Sequence, residues 1–141
     1  MAGFRRVGGS DKGFVERTIS SVAYAIGDLA AYDRSNNVVV KATSSTSLED
    51  IAGVVVAATT TADTVVLLQE IQNGDKYIVN TTNNSTTASN YERMVLTDEN
   101  EVNNTGTDST SDAAVFVQEA PVGAASEKLI LGRFNMNVDR A

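Results

Sequence analysis

The sequence predicts an all-β fold, a small barrel or sandwich of about eight short antiparallel strands with an extended N-terminal arm. Three observations carry this. Short apolar runs recur at a spacing of about 8–14 residues, each closed by a cluster of Gly, Asn, Asp, Ser or Thr. No window of about 12 residues holds an i, i+3, i+4 apolar stripe. The runs are rich in β-branched residues, whose stiff side chains favour the pleated sheet.

The elements follow in order. Residues 1–17 form a segment of their own, with Gly3, Gly8, Gly9 and Gly13 as punctuation and no sustained period. It holds Arg5, Arg6, Lys12 and Arg17 against Asp11 and Glu16, a basic segment in a chain of net charge −7. This reads as an arm that is mobile when free. From the residues alone it is either a tail without a role or an arm that orders on a partner. Phe4 and Phe14 favour the second, because apolar side chains on a free arm are costly unless they dock.

Residues 18–135 are the expected domain. Residues 26–32 (IGDLAAY) are the first clear run, and Asp33, Arg34, Ser35, Asn36 and Asn37 are a turn cluster before Val38, Val39 and Val40. Ser47-Leu48-Glu49-Asp50 resembles a capping box and predicts one helical turn. Residues 51–58 (IAGVVVAA) read as a buried strand in which Gly53 permits a bulge or a close approach. Residues 64–71 and 76–80 are strands joined by Asn73-Gly74, the strongest hairpin signal in the chain. Residues 81–90 (TTNNSTTASN) cannot bury themselves and are a surface loop. Residues 92–97 form a strand, and 98–111 are a second polar excursion with room for one short edge strand. Residues 113–119 and 128–134 are the closing strands, separated by a turn at 120–126 that holds the only proline, Pro121. Residues 136–141 are a polar tail.

Composition narrows the function. The 141 residues include neither cysteine nor histidine, which removes disulfides, thiol nucleophiles, the Ser-His-Asp arrangement and the commonest metal ligand. Six per cent aromatic residues, none of them tryptophan, leave little surface for stacking bases or sugars. The acidic balance argues against nucleic acid as a partner, and Arg5-Arg6 alone is too small a patch for it. No stretch approaches the ~18 apolar residues of a membrane span, and no apolar run follows the N-terminal arginines as in a signal peptide. Asp28, Asp33, Glu49, Asp50, Glu70 and Asp75 are candidate carboxylate pairs for a hydrolase. A Gly-Asp pair before a strand is more often turn chemistry, and no enzyme activity is expected. Residues 98–104 invite a calcium reading, but Val102 and Asn103 break the loop pattern. No metal and no cofactor are expected.

One set of strings goes further. Residues 24–33 (YAIGDLAAYD), 38–43 (VVVKAT), 50–55 (DIAGVV), 74–79 (GDKYIV) and 129–134 (LILGRF) together resemble the small β-barrel decoration, or cement, proteins of tailed bacteriophage heads. The resemblance spans about residues 22–134 and leaves out the basic arm. It implies a virion protein on the outer capsid surface, made in the host cytoplasm, that clamps neighbouring major capsid subunits. It implies self-association, as a trimer first and a dimer otherwise, and no catalytic residues. The expected contact residues to the capsid are Phe4, Arg5, Arg6, Phe14 and Arg17. Deleting residues 2–14 is then expected to weaken capsid binding and leave thermal unfolding nearly unchanged. The alternative is a phage tail, baseplate or host-surface adhesion module that offers its Thr/Asn/Ser loops to glycans.

Overall fold

The computed structural model describes residues 3–9, 13–105 and 108–135. The described residues form twelve strands in two sheets: β1 (Arg5–Gly8), β2 (Phe14–Thr18), β3 (Leu29–Asp33), β4 (Val38–Lys41), β5 (Ile51–Val55), β6 (Val65–Gln69), β7 (Lys76–Thr81), β8 (Arg93–Met94), β9 (Leu96–Asp98), β10 (Glu101–Val102), β11 (Phe116–Pro121) and β12 (Leu129–Phe134). The expected all-β class holds. The expected count of about eight falls short because β1 and β2 lie in the segment read as an arm, the expected strand 92–97 divides into β8 and β9, and β10 is the short strand for which 98–111 left room. Ser47–Asp50 is the expected helical turn, here 3-10 over Leu48–Asp50.

The smaller sheet runs β2-β6-β5-β3-β4 and is antiparallel throughout. It curls until β2 and β4 approach each other. Its inner face holds Ile19, Tyr24, Ala30, Val39, Ala52, Val55, Val66 and Leu68. The larger sheet runs β8-β11-β12-β7-β10-β9. At its centre β7 pairs with β12 along one edge, and β1 and β10 share the other. The β7–β10 pair is parallel, which departs from the expected antiparallel set.

The second core lies between the two sheets. Leu29 and Ala31 of β3 and Val54 of β5 enter it, while Ala30, Ala52 and Val55 turn the other way. Strands β3 and β5 are thus buried on both faces, which is why 29–31 and 51–55 read as apolar without a break rather than alternating. The register between β3 and β5 slips by one residue, so Ala30 faces Gly53 and Ala31 faces Ile51. This bulge lets Ile51 and Val54, three apart, meet the same core. Gly53 at φ +153° is both bulge and close approach: a Cβ there would sit 2.6 Å from the Gln69 carbonyl oxygen.

Two of the sequence expectations need correction. The first is the arm, which over its described residues is two strands. Phe4 is 2% exposed and packs on Tyr77, Phe116 and Phe134, with ring centroids 6.4, 5.7 and 5.1 Å away. Its amide donates to the Gly27 carbonyl at 2.8 Å, and Arg5 and Arg6 pair with Ile78 and Tyr77. The glycines that suggested looseness flank a strand whose aromatic residue belongs to the core. Residues 1–2 and 10–12, and the expected tail 136–141, lie outside the described residues.

The second is the Asn73-Gly74 hairpin. Strand β6 belongs to the smaller sheet and β7 to the larger, so the turn carries the chain between sheets. Gly74 has φ +90°, while Asn73 is not among the positive-φ residues, so the type I′ geometry of a two-residue hairpin is not met. The hairpin built on a polar cluster is β3–β4, where Asn37 takes φ +57° and the Asp33 carboxylate accepts from Ser35 Oγ at 2.9 Å and Asn36 Nδ2 at 2.8 Å.

Phe4→Ala is expected to lower the unfolding free energy in urea by about 3–5 kcal/mol, the range for removing a buried aromatic ring. Deletion of residues 2–14 is accordingly expected to depress thermal unfolding strongly, in place of the small effect anticipated from the sequence. A truncated protein that melts with the full chain would refute the wedge role of Phe4. Gly53→Ala is expected to destabilise by about 2–3 kcal/mol through the clash with Gln69, checked by the same titration.

Candidate functional site

The five expected contact residues separate in space. Phe4 is in the core and offers no surface. Arg6 is half-buried, with Nη2 3.6 Å from Oδ1 of the buried Asp75. That ion pair ties β1 to the turn before β7. Arg5 is exposed on β1, beside the equally exposed Val7. Phe14 and Arg17 fall together on β2.

Strand β2 is an edge, paired only with β6. Its side chains alternate, so Phe14, Glu16 and Thr18 face out while Val15 and Arg17 turn toward the core. Phe14 is 58% exposed. It stands opposite Gln69 on an outer face that it shares with Glu16 and Thr18 of β2 and Val65 and Leu67 of β6.

Arg17 reaches across to β3. Its Nε donates to the Tyr32 hydroxyl at 3.4 Å and its Nη1 to the Glu16 carbonyl at 3.0 Å. The hydrogen bond to Tyr32 raises the guanidinium further above its ordinary pKa. Arg34 lies over the face of the same ring, 5.2 Å from its centroid, and donates from Nε to Asp50 Oδ1 at 3.0 Å. Between β2 and the β3–β4 hairpin runs a cleft of about 400 Å³ lined by Glu16, Arg17, Thr18, Tyr32, Arg34 and Val39, among others.

Sequence reading missed Tyr32 and Arg34. The signal present was the end of the first apolar run, where Tyr32-Asp33-Arg34 leaves the core through a turn. It was read as turn chemistry alone, and the return of β4 beside β2 is a long-range consequence of sheet curvature that local pattern does not carry.

The acidic candidates are engaged in turns. Asp28 Oδ2 accepts from the Ala25 amide at 2.9 Å, and Asp75 Oδ2 from the Gln72 amide at 3.0 Å. Each turn is also closed by the aspartate's own amide, to the Ala25 and Gln72 carbonyls, both at 3.1 Å. Gly27 and Gly74 supply the positive φ, +93° and +90°, that a type II turn requires at this position. The two Gly-Asp segments are therefore the same local structure used twice, each opening a strand. Asp50 pairs with Arg34 and accepts from Ser47 Oγ at 3.0 Å.

Asp28 is the most strained electrostatically. It is 3% exposed, and burial raises its pKa from 3.8 despite the Ala25 amide and Lys41 nearby. Tyr24 beside it is pushed up to about 12 by burial and by the charges of Asp28 and Glu99. Lys41 answers both acids, with Nζ 3.7 Å from Glu99 Oε1 and 5.8 Å from the Tyr24 ring centroid.

No protein-family model and no curated protein sequence matches the chain.

A raised carboxyl pKa means that the folded state holds more protons than the unfolded chain between 3.8 and the raised value. Asp28 therefore adds stability as pH falls through that window and withdraws it as pH rises. Urea titrations at pH 7 and near pH 4 are expected to give an acid-side gain for the wild type relative to Asp28→Asn, which keeps an acceptor for Ala25. Parallel pH profiles for the two proteins would remove this assignment.

Proposed function

We propose that the protein is a capsid decoration protein, which binds the outer surface of a phage head and clamps neighbouring major capsid subunits. The observation that carries this reading is Phe14, 58% exposed on the outer face of the edge strand β2, with Val65 of β6 exposed further along the same face. A large apolar ring held in solvent on a rigid sheet face favours a contact surface.

The resemblance of residues 22–134 to phage cement proteins supports the same reading. Its strings fall on both Gly-Asp turns and on β3, β4, β5, β7 and β12. On this reading the contact residues are Phe14 and Arg17 on β2 and Arg5 on β1, with Phe4 and Arg6 holding β1 in place. Copies self-associate with closed symmetry, as trimers or dimers. Several weak contacts on a repeating lattice then add up to tight attachment.

A second reading, an adhesion module, has one observation in its favour. Tyr91 is 76% exposed with φ +68°, an unusual backbone for a bulky residue, at the end of the Thr/Asn/Ser loop. That loop is fixed from beneath by the buried Gln118, whose Nε2 donates to the Thr86 carbonyl at 2.7 Å and to Asn90 Oδ1 at 2.9 Å.

Purified protein mixed with intact and emptied phage heads, then pelleted, separates the two. Saturable binding at many copies per head, with heads that better resist heat, is expected. Absence from heads with a few copies on tails would favour adhesion. Phe14→Ser is expected to weaken head binding about tenfold or more and to move the free protein's stability by no more than about 0.5 kcal/mol.

A further inference from the structure

The sequence holds a single Asn-Gly pair, Asn73-Gly74. In such a pair the glycine amide nitrogen can attack the asparagine carboxamide, because no Cβ crowds the approach and glycine reaches backbone conformations closed to other residues. In a folded chain the attack needs exposure, an attacking amide that is not already bonded, and a turn free to swing.

All three are met here. Both residues are exposed. They are the central pair of the type II turn that the Asp75 amide closes on the Gln72 carbonyl at 3.1 Å. Among the described residues, neither the Asn73 carboxamide nor the Gly74 amide has a hydrogen-bond partner. A Cβ built on Gly74 would meet no atom within 4 Å. The central peptide of a type II turn flips to type I when its third residue accepts negative φ, and glycine accepts both signs. That flip rotates the Gly74 nitrogen about the Asn73 Cα–C bond, the rotation that brings it to Cγ.

The twin turn supplies the contrast. Ile26-Gly27 stands in the same place before Asp28. Gly27 is buried, however, and its amide donates to the Val55 carbonyl at 2.9 Å. One glycine amide is bonded into the body of the fold and the other is open to solvent.

We propose that Asn73 is a site of spontaneous deamidation and isoaspartate formation, a modification that opens the turn between the two sheets. The Gly74 amide gives its proton to hydroxide, and its nitrogen bonds to Asn73 Cγ. The carboxamide nitrogen leaves as ammonia, taking a proton from water. The five-membered imide then takes up water. Cleavage at Cγ yields aspartate. Cleavage at the main-chain carbonyl yields isoaspartate, in which the chain runs through Cβ and Cγ. The balance is one water consumed and one ammonia released. Either product adds one negative charge to the net −7. Isoaspartate alone lengthens the main chain, by one carbon inside the turn that Asp75 pins with its amide on the Gln72 carbonyl and its Oδ2 on the Gln72 amide. The added carbon pulls Asp75 from Gln72 and from Arg6, the ion pair that ties β1 to this turn. This holds whatever surface the protein binds.

The test ages the purified full-length protein at neutral and mildly alkaline pH and maps its tryptic peptides by mass spectrometry. Peptide 42–76 holds Asn73 as its only asparagine. It is expected to gain the acid mass in two forms of different elution. The rate is expected to rise with hydroxide and to exceed that at every other asparagine about tenfold or more. Asn73→Gln is expected to keep the mass of this peptide, since its longer side chain would have to close a six-membered ring. Ile26→Asn, at a half-exposed position, puts a second Asn-Gly pair in peptide 18–34, which otherwise has no asparagine. In the folded protein that peptide is expected to convert about tenfold or more slowly than 42–76, and in urea at a similar rate. Isoaspartate protein separated by ion exchange is expected to melt below the wild type, whereas Asn73→Asp, with its main chain unchanged, melts with it. A peptide 42–76 that keeps its mass, or converts no faster than the others, would overturn the site. Equal conversion of the two Asn-Gly pairs in the folded protein would overturn the role of the open Gly74 amide. An isoaspartate form as stable as Asn73→Asp would overturn the opening of the turn.

Discussion

The fold depends on burying β3 and β5 on both faces at once. A strand pair with one wet face needs one covering layer. This pair needs two, and the chain supplies them with different devices. On one side the smaller sheet curls over itself and seals Ala30, Ala52 and Val55 against Val39, Val66 and Leu68. On the other the larger sheet lies across Leu29, Ala31 and Val54. The bulge at Gly53 makes both possible, because it shifts the side-chain alternation by one residue within a five-residue strand. A Cβ at that position would press on the Gln69 carbonyl and push β6 away from β5, opening the smaller core.

The N-terminal strand locks the two layers together. Phe4 bonds the Gly27 carbonyl of one Gly-Asp turn, and Arg6 pairs with Asp75 of the other. One of these turns enters the smaller sheet through β3 and the other enters the larger sheet through β7. A single short strand thus fixes the relative position of both turns. Its aromatic residue fills the space where the larger core would otherwise be hollow. Three of the chain's four phenylalanines and Tyr77 meet there, which puts the scarce aromatic volume where two layers must be held apart at a defined spacing.

Local pattern revealed the β class, a buried strand within 51–58, the role of Gly53 and the turn chemistry of Gly-Asp. Each of these is written in neighbouring residues: consecutive apolar positions, a glycine among β-branched residues, an aspartate after a glycine. Pattern misjudged whatever depends on distant partners. Phe4 between glycines and arginines looks like a docking residue, because the rings that receive it come from positions 77, 116 and 134. Asn73-Gly74 looks like a hairpin, because only tertiary packing sends β6 and β7 to different sheets. Tyr32 is legible as the end of an apolar run and Arg34 as a turn residue, and the curl of the sheet makes them part of one cleft. Phe14, expected as a contact residue on a free arm, lies exposed on an edge strand.

The two sheets end differently, and the difference assigns their work. In the larger sheet the central strand β7 has both edges used, with β1 and β10 dividing one between them, and Lys76 and Arg133 pair with Glu119 across neighbouring strands. Such a sheet is a closed account of main-chain bonds and offers stability. The smaller sheet ends at β2 and β4, with Phe14 on its outer face. Open edges invite association and are usually blunted by charge, proline or cover. Here the blunting is slight: Glu16 and Arg17 on β2, Lys41 on β4, and no proline on either strand. The larger sheet therefore spends its pairing on holding the layers together, whereas the smaller sheet curls until its edges β2 and β4 approach and leaves Phe14 as the exposed aromatic ring of its edge strand.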